Sequence, residues 1–291
     1  MKNFAKMAAC AALALTCIAS SALAESAFDA TKLINVISRE DGSGTRGAFI
    51  ELTGVQQEVD GQDVDMTTVD AQITNNTAVM LTTVAGDTYA IGYVSLGSLS
   101  DDVKAVNVEG VEATVDTVAD GSYKIARPFN IAYNEETLSE LGKDFVAYIM
   151  SAEGQAIINE NGYVGSSDAT AYAGTPVEGK LVVAGSSSVS PVMEKLIEAY
   201  TAVNTGAEIE LQTSDSTTGM TSAMEGTCDI GMASRELKEE EAAALTSQVI
   251  AMDGIAVIVS NDNPVEDLTV EQIASIFTGE VTTWDQVAAA E

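Results

Sequence analysis

Short apolar runs alternate with longer amphipathic stretches along most of this chain. Leu33–Ile37 reads as a buried strand, and Ser43–Leu52 behind it carries apolar residues at helical spacing. Gln56–Asp70 is polar and reads as a surface excursion. Asn76–Val84 has a helical pattern, and Tyr89–Val94 a strand pattern after the Gly86-Asp87 turn signal. Short strands are expected at Val103–Val108 and Val111–Val115. Ile125–Asn134 reads as extended, because Pro128 disfavours a helix there. Two helices follow, Glu136–Ser151 and Ala152–Asn161, the second closed by Gly162 as a C-cap.

A fresh series then starts. Strands are expected at Leu181–Ala184, Ile209–Gln212, Asp229–Met232 and Gly254–Ser260. Helices are expected at Val189–Val203, with Pro191 in the first turn, and at Ser216–Glu225, Lys238–Leu245 and Val270–Phe277. Alternating strands and helices predict an α/β protein with mainly parallel sheets flanked by helices. Between the two series, Gly165–Gly179 is rich in Gly, Ser, Thr and Ala and reads as a linker.

The N-terminus departs from this pattern. Lys2 and Lys6 precede an apolar stretch, Met7–Ile18, and the small residues Ala22-Leu23-Ala24 follow. Residues 1–24 therefore read as a secretory signal cleaved after Ala24. The apolar stretch is shorter than a membrane span. A lipid anchor on Cys17 is the alternative, although Ala14-Leu15-Thr16 fits a lipobox poorly. Cys10 and Cys17 leave with the signal. Cys228 alone remains, so no internal disulfide is expected, and it reads as a small buried hydrophobe.

Composition narrows the function. The 291 residues hold 44 Asp and Glu against 13 Lys and Arg, a net charge of −31. A phosphate backbone needs a basic face, so nucleic acid is excluded as a partner. There is no histidine, which removes Ser-His-Asp and Cys-His catalysis and histidine metal sites. With no dense carboxylate cluster evident either, no metal or cofactor is expected, and a phosphatase or other enzyme is disfavoured.

Two runs carry candidate chemistry: SREDGSGTRGAF, Ser38–Phe49, and AGSSSVSPVMEKL, Ala184–Leu196. Each joins a strand to a helix start through small hydroxyl residues and glycine. Backbone N–H groups and the positive end of the helix dipole then converge on one point, where an anion fits. The acidic surface does not forbid this, because salt screens distributed charge over about 8–10 Å.

These runs, with QTSDSTTGM, DIGMASREL, DGIAVIVSNDNPV and IFTGEVTTWDQV, resemble the phosphate-binding proteins of bacterial phosphate ABC importers. The resemblance covers almost the whole chain after the signal. It implies a two-lobed periplasmic binding protein fold: two α/β domains joined by a two-segment hinge, with the ligand between them. It further implies capture of inorganic phosphate for an ABC permease, no bond chemistry, and a monomer exported to the periplasm. Another tetrahedral oxyanion (sulfate or molybdate), or a role as an extracellular phosphate sensor or adhesin, stands as the alternative.

The motif order is rotated relative to the family. The GSSSVSP segment, which lies near the family's mature N-terminus, here comes mid-chain, and the chain ends soon after IFTGEVTTWDQV. A circular permutation through Gly165–Gly179 explains this, and a truncated tandem array is the other explanation. The implied lobes are 30–126 plus 258–291, and 127–257, with crossings near Arg127–Asn130 and Gly254–Val257.

By resemblance, Arg39, Ser43, Gly44 and Thr45 come from the first cradle, with Asp41 holding the arginine in place. Ser188 and the Val189 N–H come from the second, and Ser216 joins them; capping alone is the other reading of Ser188 and Ser190. Ser234 stands where the family pattern has an aspartate that accepts phosphate's own proton. Asp253 and Asp215 are candidate replacements, each equally able to be a turn or cap carboxylate. Arg235 is a second cation or one half of an ion pair. Trp284 reads as core.

Overall fold

The computed structural model describes residues 28–175 and 177–288. Residues 1–24, read as a secretory signal, and with them Cys17, lie outside the described residues. In chain order the strands are β1 (Asn35–Arg39), β2 (Gln56–Val59), β3 (Gln62–Asp65), β4 (Gln72–Thr74), β5 (Ala90–Ser95), β6 (Val103–Val108), β7 (Ala126–Tyr133), β8 (Gly179–Ser186), β9 (Ala207–Ser214), β10 (Ile230–Ala233), β11 (Thr246–Ser260) and β12 (Asp267–Leu268). The helices are α1 (Gly44–Thr53), α2 (Thr77–Ala85), α3 (Val115–Ala119), α4 (Glu140–Ile149), α5 (Ala152–Glu160), α6 (Ser190–Val203), α7 (Ser216–Glu225), α8 (Glu239–Ala244), α9 (Val270–Thr278) and α10 (Trp284–Ala288).

The fold is mixed α/β with two domains. β1 pairs in parallel with β4 and β5, and β8 in parallel with β9 and β10. β7 and β11 run antiparallel between these groups, from Thr246 opposite Tyr133 to Gly254 opposite Ala126. β11 is the longest strand, and its far half, Ile255–Ser260, pairs with β5 and β6. A two-stranded ribbon thus joins the parallel groups.

Burial divides along the same line. One core gathers Ile37, Phe49, Met80, Tyr93 and Val106 with Ile258, Ile276, Phe277 and Trp284. Another gathers Phe129, Phe145, Ile149, Val183, Leu196 and Tyr200 with Ile250. Ile255, Ala256 and Val257 pack in the first core, although the sequence reading places them with the second lobe. Their partners on β5 and β6 decide it.

The helix starts follow local chemistry. Ser43, Asn76, Ser139, Ser151 and Asp215 each accept a hydrogen bond from an N–H of the first turn, a cap worth about 1 kcal/mol. Gly54, Gly226 and Gly279 end α1, α7 and α9 with left-handed backbone, which a Cβ would strain. The sequence predicts a strand at Val111–Val115, but α3 begins there instead. Thr114 and Thr117 form a reciprocal capping box, and only Val111 keeps a bridge, to Val108. The polar excursion is the exposed β2–β3 hairpin. The polar half of β11, Thr246–Val249, carries no apolar run, so the expected strand begins eight residues late.

Candidate functional site

Four helices begin at the junction of the two cores. α1 and α2 start at Gly44 and Thr77 on one side, and α6 and α7 start at Ser190 and Ser216 on the other. The first N–H groups of a helix have no acceptor within it, and the dipole's positive end adds to them. The sequence pattern predicts all four helices and marks the starts of α1 and α6 as anion cradles, and the resemblance adds Ser216 as a ligand. Thr77, a single threonine opening an apolar helix, gives no comparable signal.

The side chains at these starts form one buried hydroxyl cluster. Thr45 Oγ1 lies 2.8 Å from Ser188 Oγ and 3.3 Å from Ser234 Oγ. Thr77 Oγ1 lies 3.2 Å from Ser188 Oγ and 3.3 Å from Ser187 Oγ. Ser186 Oγ donates to Ser234 Oγ at 2.9 Å, and Ser216 Oγ accepts from the Ser234 N–H at 3.1 Å. All these residues are buried. A hydroxyl can donate or accept, so the cluster can turn its O–H groups toward an anion.

Two arginines border it. Arg39 ends β1 and is 3 % exposed. Its Nε and Nη2 donate to both oxygens of Glu40, at 2.8 and 2.7 Å, and Nη2 also donates to Ser187 Oγ at 3.1 Å. Arg127, on β7, is equally buried. Its Nη1 pairs with Asp253 Oδ2, its Nε donates to Ser234 C=O at 2.9 Å, and its Nη2 donates to Thr45 Oγ1 at 3.0 Å. The guanidinium also sits 4.9 Å from the Phe129 ring centre. Burial pushes the Asp253 carboxyl up and the Arg127 guanidinium down, and their mutual attraction opposes both shifts. Beside the cluster opens a cleft of about 790 Å³, lined by Asn76, Thr77 and Ser98 from one side and Ser187, Ser190 and Thr213 from the other.

The sequence pattern of the PBP superfamily domain matches residues 24–153 and 170–291. The chain is 52% identical over 257 residues to the phosphate-binding protein PstS 2 of Streptococcus agalactiae, covering 88% of each chain. It is 44% identical over 292 residues to the protein of the same name from Streptococcus pneumoniae, covering 98% of this chain and 99% of that one. The crystal structure of a phosphate-binding protein of a phosphate ABC transporter from Streptococcus pneumoniae matches with a TM-score of 0.70 and 46% identity, over 88% of this chain and 99% of that one.

The chain belongs to the phosphate-binding proteins of the PBP superfamily.

Within that family fold, the structure brings Arg39, Gly44, Thr45, Ser188, Ser216 and Ser234 together, while the buried Ser43 hydroxyl caps α1 by accepting from the Arg46 N–H. Four other residues are engaged locally, which corrects the roles expected of Asp41 and Val189 and selects the cap and ion-pair readings of Asp215 and Arg235. Asp41 does not hold Arg39: its side chain is 98% exposed and pairs with Arg46 at 2.8 Å, while Glu40 folds back to Arg39. The Val189 N–H donates to Ser186 C=O at 3.0 Å and closes a turn. Asp215 caps α7, accepting from the Thr218 N–H at 2.9 Å and its hydroxyl at 2.6 Å. Arg235 is bound through both terminal nitrogens by Glu241, at 2.7 and 2.8 Å. Burial raises the Glu241 carboxyl, but hydrogen bonds from Arg235 and the Lys238 N–H outweigh it and lower its pKa.

Asp253 is buried as a site residue would be. Its carboxylate, however, takes Arg127 on one oxygen and the Gly97 N–H, at 3.4 Å, on the other. It therefore faces an arginine and not the hydroxyl cluster. Glu40, Thr77, Ser186, Ser187 and Arg127 are the site neighbours that sequence reasoning missed. Trp284 is buried in the core as expected, and Cys228 is buried and free.

Proposed function

We propose that this chain is an exported solute-binding protein that captures inorganic phosphate between its two lobes and delivers it to an ABC permease, without bond chemistry. One observation carries the reading. Two buried arginines and a hydroxyl cluster drawn from both cores meet at four helix starts, and the relatives of similar length are named phosphate-binding proteins. Arg39 supplies a fixed charge and a planar fork suited to two anion oxygens. The hydroxyls and helix-start N–H groups complete the shell. Loading would leave the net charge of −31 outside the site, screened by salt.

The lobes proposed are 30–126 plus 258–291, and 127–257, with β7 and β11 as the two crossings. Closure by hinge bending about such a ribbon needs only a few residues to change conformation. A circular permutation accounts for the motif order. Its support is that the two ends of the described chain meet: the Asp285 N–H donates to Ala30 C=O at 2.8 Å, and the Ile34 N–H to Thr282 C=O at 2.8 Å. Export by the segment 1–24, or anchoring through Cys17, fits this role. No helix among the described residues is long and apolar enough to cross a membrane.

A second reading follows from the geometry of Asp253 and Glu40. Both site carboxylates are engaged by arginines, so neither stands ready to accept phosphate's proton. The site is then less able to reject a fully ionised oxyanion such as sulfate or molybdate. Calorimetric titration with phosphate, sulfate and a phosphate monoester separates the readings. Tight phosphate binding with weak sulfate binding supports the first, and equal binding supports the second. Failure of every oxyanion to bind overturns both.

A further inference from the structure

We infer that Arg127 is a second anion-binding cation of this site, and that Asp253 is its positioning residue. The inference rests on the phosphate-binding reading above.

Arg127 and Asp253 stand opposite each other on the two strands that join the lobes. A pair placed only to stabilise the ribbon would satisfy itself there. The Arg127 fork instead reaches onward in two directions. Its Nε holds the carbonyl of Ser234 from one core, and its Nη2 holds the hydroxyl of Thr45 from the other. Ser234 and Thr45 are both in the hydroxyl cluster and 3.3 Å apart. Arg127 is thus one hydrogen bond from each side of the anion position. The second N–H of Nη2 has no partner among the described residues.

The charges balance in a telling way. Arg39 has Glu40 and Arg127 has Asp253, so the site's own charges cancel and tolerate burial. The two guanidinium groups are close enough to repel, and Arg39 adds to the lowering of the Arg127 pKa. A dianion placed between them relieves that repulsion, whereas a monoanion relieves less of it. Among the described residues, the other titratable groups facing the Arg127–Asp253 pair are Tyr163 after α5, which acts on Arg127, and Tyr123, which feels Asp253 and is itself raised by burial. Tyr163 is pushed up to about 12 by burial and by Asp253, so its phenol stays neutral near neutral pH.

Affinity for inorganic phosphate is therefore expected to rise as the ligand passes from monoanion to dianion, and that gain reports the number of cations acting on it. Phosphate titrations on either side of its second ionisation test this. Arg127→Gln is expected to bind roughly 30-fold more weakly or worse and to lose much of the gain. Arg127→Lys keeps the charge and hence the gain, without recovering the affinity, because the fork is absent. Asp253→Asn loosens the fork but removes a negative charge, so affinity falls while the gain survives. If Arg127→Gln fails to fold, Arg127→Gln with Asp253→Asn removes the unpaired buried carboxylate and gives the same reading. An Arg127→Gln protein, or that double variant, with the wild-type gain makes Arg127 structural and overturns the inference. An Asp253→Asn protein whose preference for phosphate over sulfate collapses makes Asp253 a ligand acceptor and overturns its positioning role. A wild type that binds no phosphate defeats the underlying reading instead.

Discussion

Gly42 packs directly on Asp215 across the contact between the two cores, and a Cβ on Gly42 would overlap the Asp215 carboxylate. The Thr217 N–H donates to Gly42 C=O at 3.2 Å beside it. Two positions on, a Cβ at Gly44 would come within 2.9 Å of Ser234 Oγ and would also overlap Ser216. The first cradle and the start of α7 can close on each other only because these two positions lack side chains.

Gly42→Ala is therefore expected to hold the lobes apart. Gly42 does not have a positive φ, so alanine fits its backbone and the fold survives. The overlap costs about 1–3 kcal/mol and falls on the closed form. Phosphate affinity drops correspondingly, while the melting temperature without ligand changes little. Calorimetry with small-angle scattering checks this: unchanged affinity and an unchanged phosphate-induced compaction would exclude a closure contact at Gly42.

The two neighbouring carboxylates of the first cradle should separate cleanly. Arg39→Ala removes a buried charge from the site and is expected to cost about 2–5 kcal/mol of phosphate binding. Glu40→Gln leaves the arginine without its bidentate acceptor and is expected to cost about 1–3 kcal/mol. Asp41→Asn touches only the exposed pair with Arg46 and is expected to cost less than about 1 kcal/mol. A larger loss for Asp41→Asn than for Glu40→Gln, by titration, would return the holding role to Asp41.

That contrast marks where the sequence stops being legible. Helix starts at Gly44 and Ser216 are written locally in caps and that at Ser190 in Pro191, each with helical periodicity behind it, so the cradles and most of their hydroxyls could be read. Glu40 and Asp41 are adjacent acids in one turn, and which of them folds back is decided by backbone dihedrals. Arg127 reads as hinge alone, because its partner Asp253 is 126 positions away and only the β7–β11 register brings them together. Asp253 reads as a free acceptor for the same reason. Thr77 becomes a site neighbour through Ser187 and Ser188, more than a hundred positions downstream.

Alkaline pH should expose the buried phenols. Burial pushes Tyr93, Tyr163 and Tyr200 up to about 12, with Asp144 adding to the effect at Tyr200. An unfolded tyrosine titrates near about 10. A raised folded-state pKa means the native chain holds the proton more tightly. The stability this represents is complete below about pH 10 and is lost as pH rises toward about 12. Denaturant unfolding across that range checks the sign, and Tyr200→Phe should flatten part of the fall. A fall of the same size in that variant would assign the transition elsewhere.

The segment 165–179 should tolerate being cut, although it is tied down. Tyr172 donates from its hydroxyl to Asp144 Oδ2 at 2.5 Å, Tyr200 donates to the same oxygen at 2.7 Å, and the Tyr172 N–H donates to Glu153 at 2.7 Å. These contacts hold the stretch of chain up to Tyr172 and leave residues 173–175 and 177–179 exposed or half-buried. At the other end, Leu33 bridges Thr283 and Asp285 binds Ala30, so the first and last described segments pack against each other and a short flexible linker can join them. A rearranged chain that joins residue 288 to residue 28 through glycine and serine and opens between Gly174 and Gly179 keeps every contact named above. It is expected to fold to a monomer with phosphate affinity within about 1 kcal/mol of the parent, since termini and exposed loops are where such cuts succeed. If the rearranged chain unfolds or swaps segments into a dimer, the two ends are not equivalent to a natural junction, and the rotated motif order needs the tandem-array explanation instead.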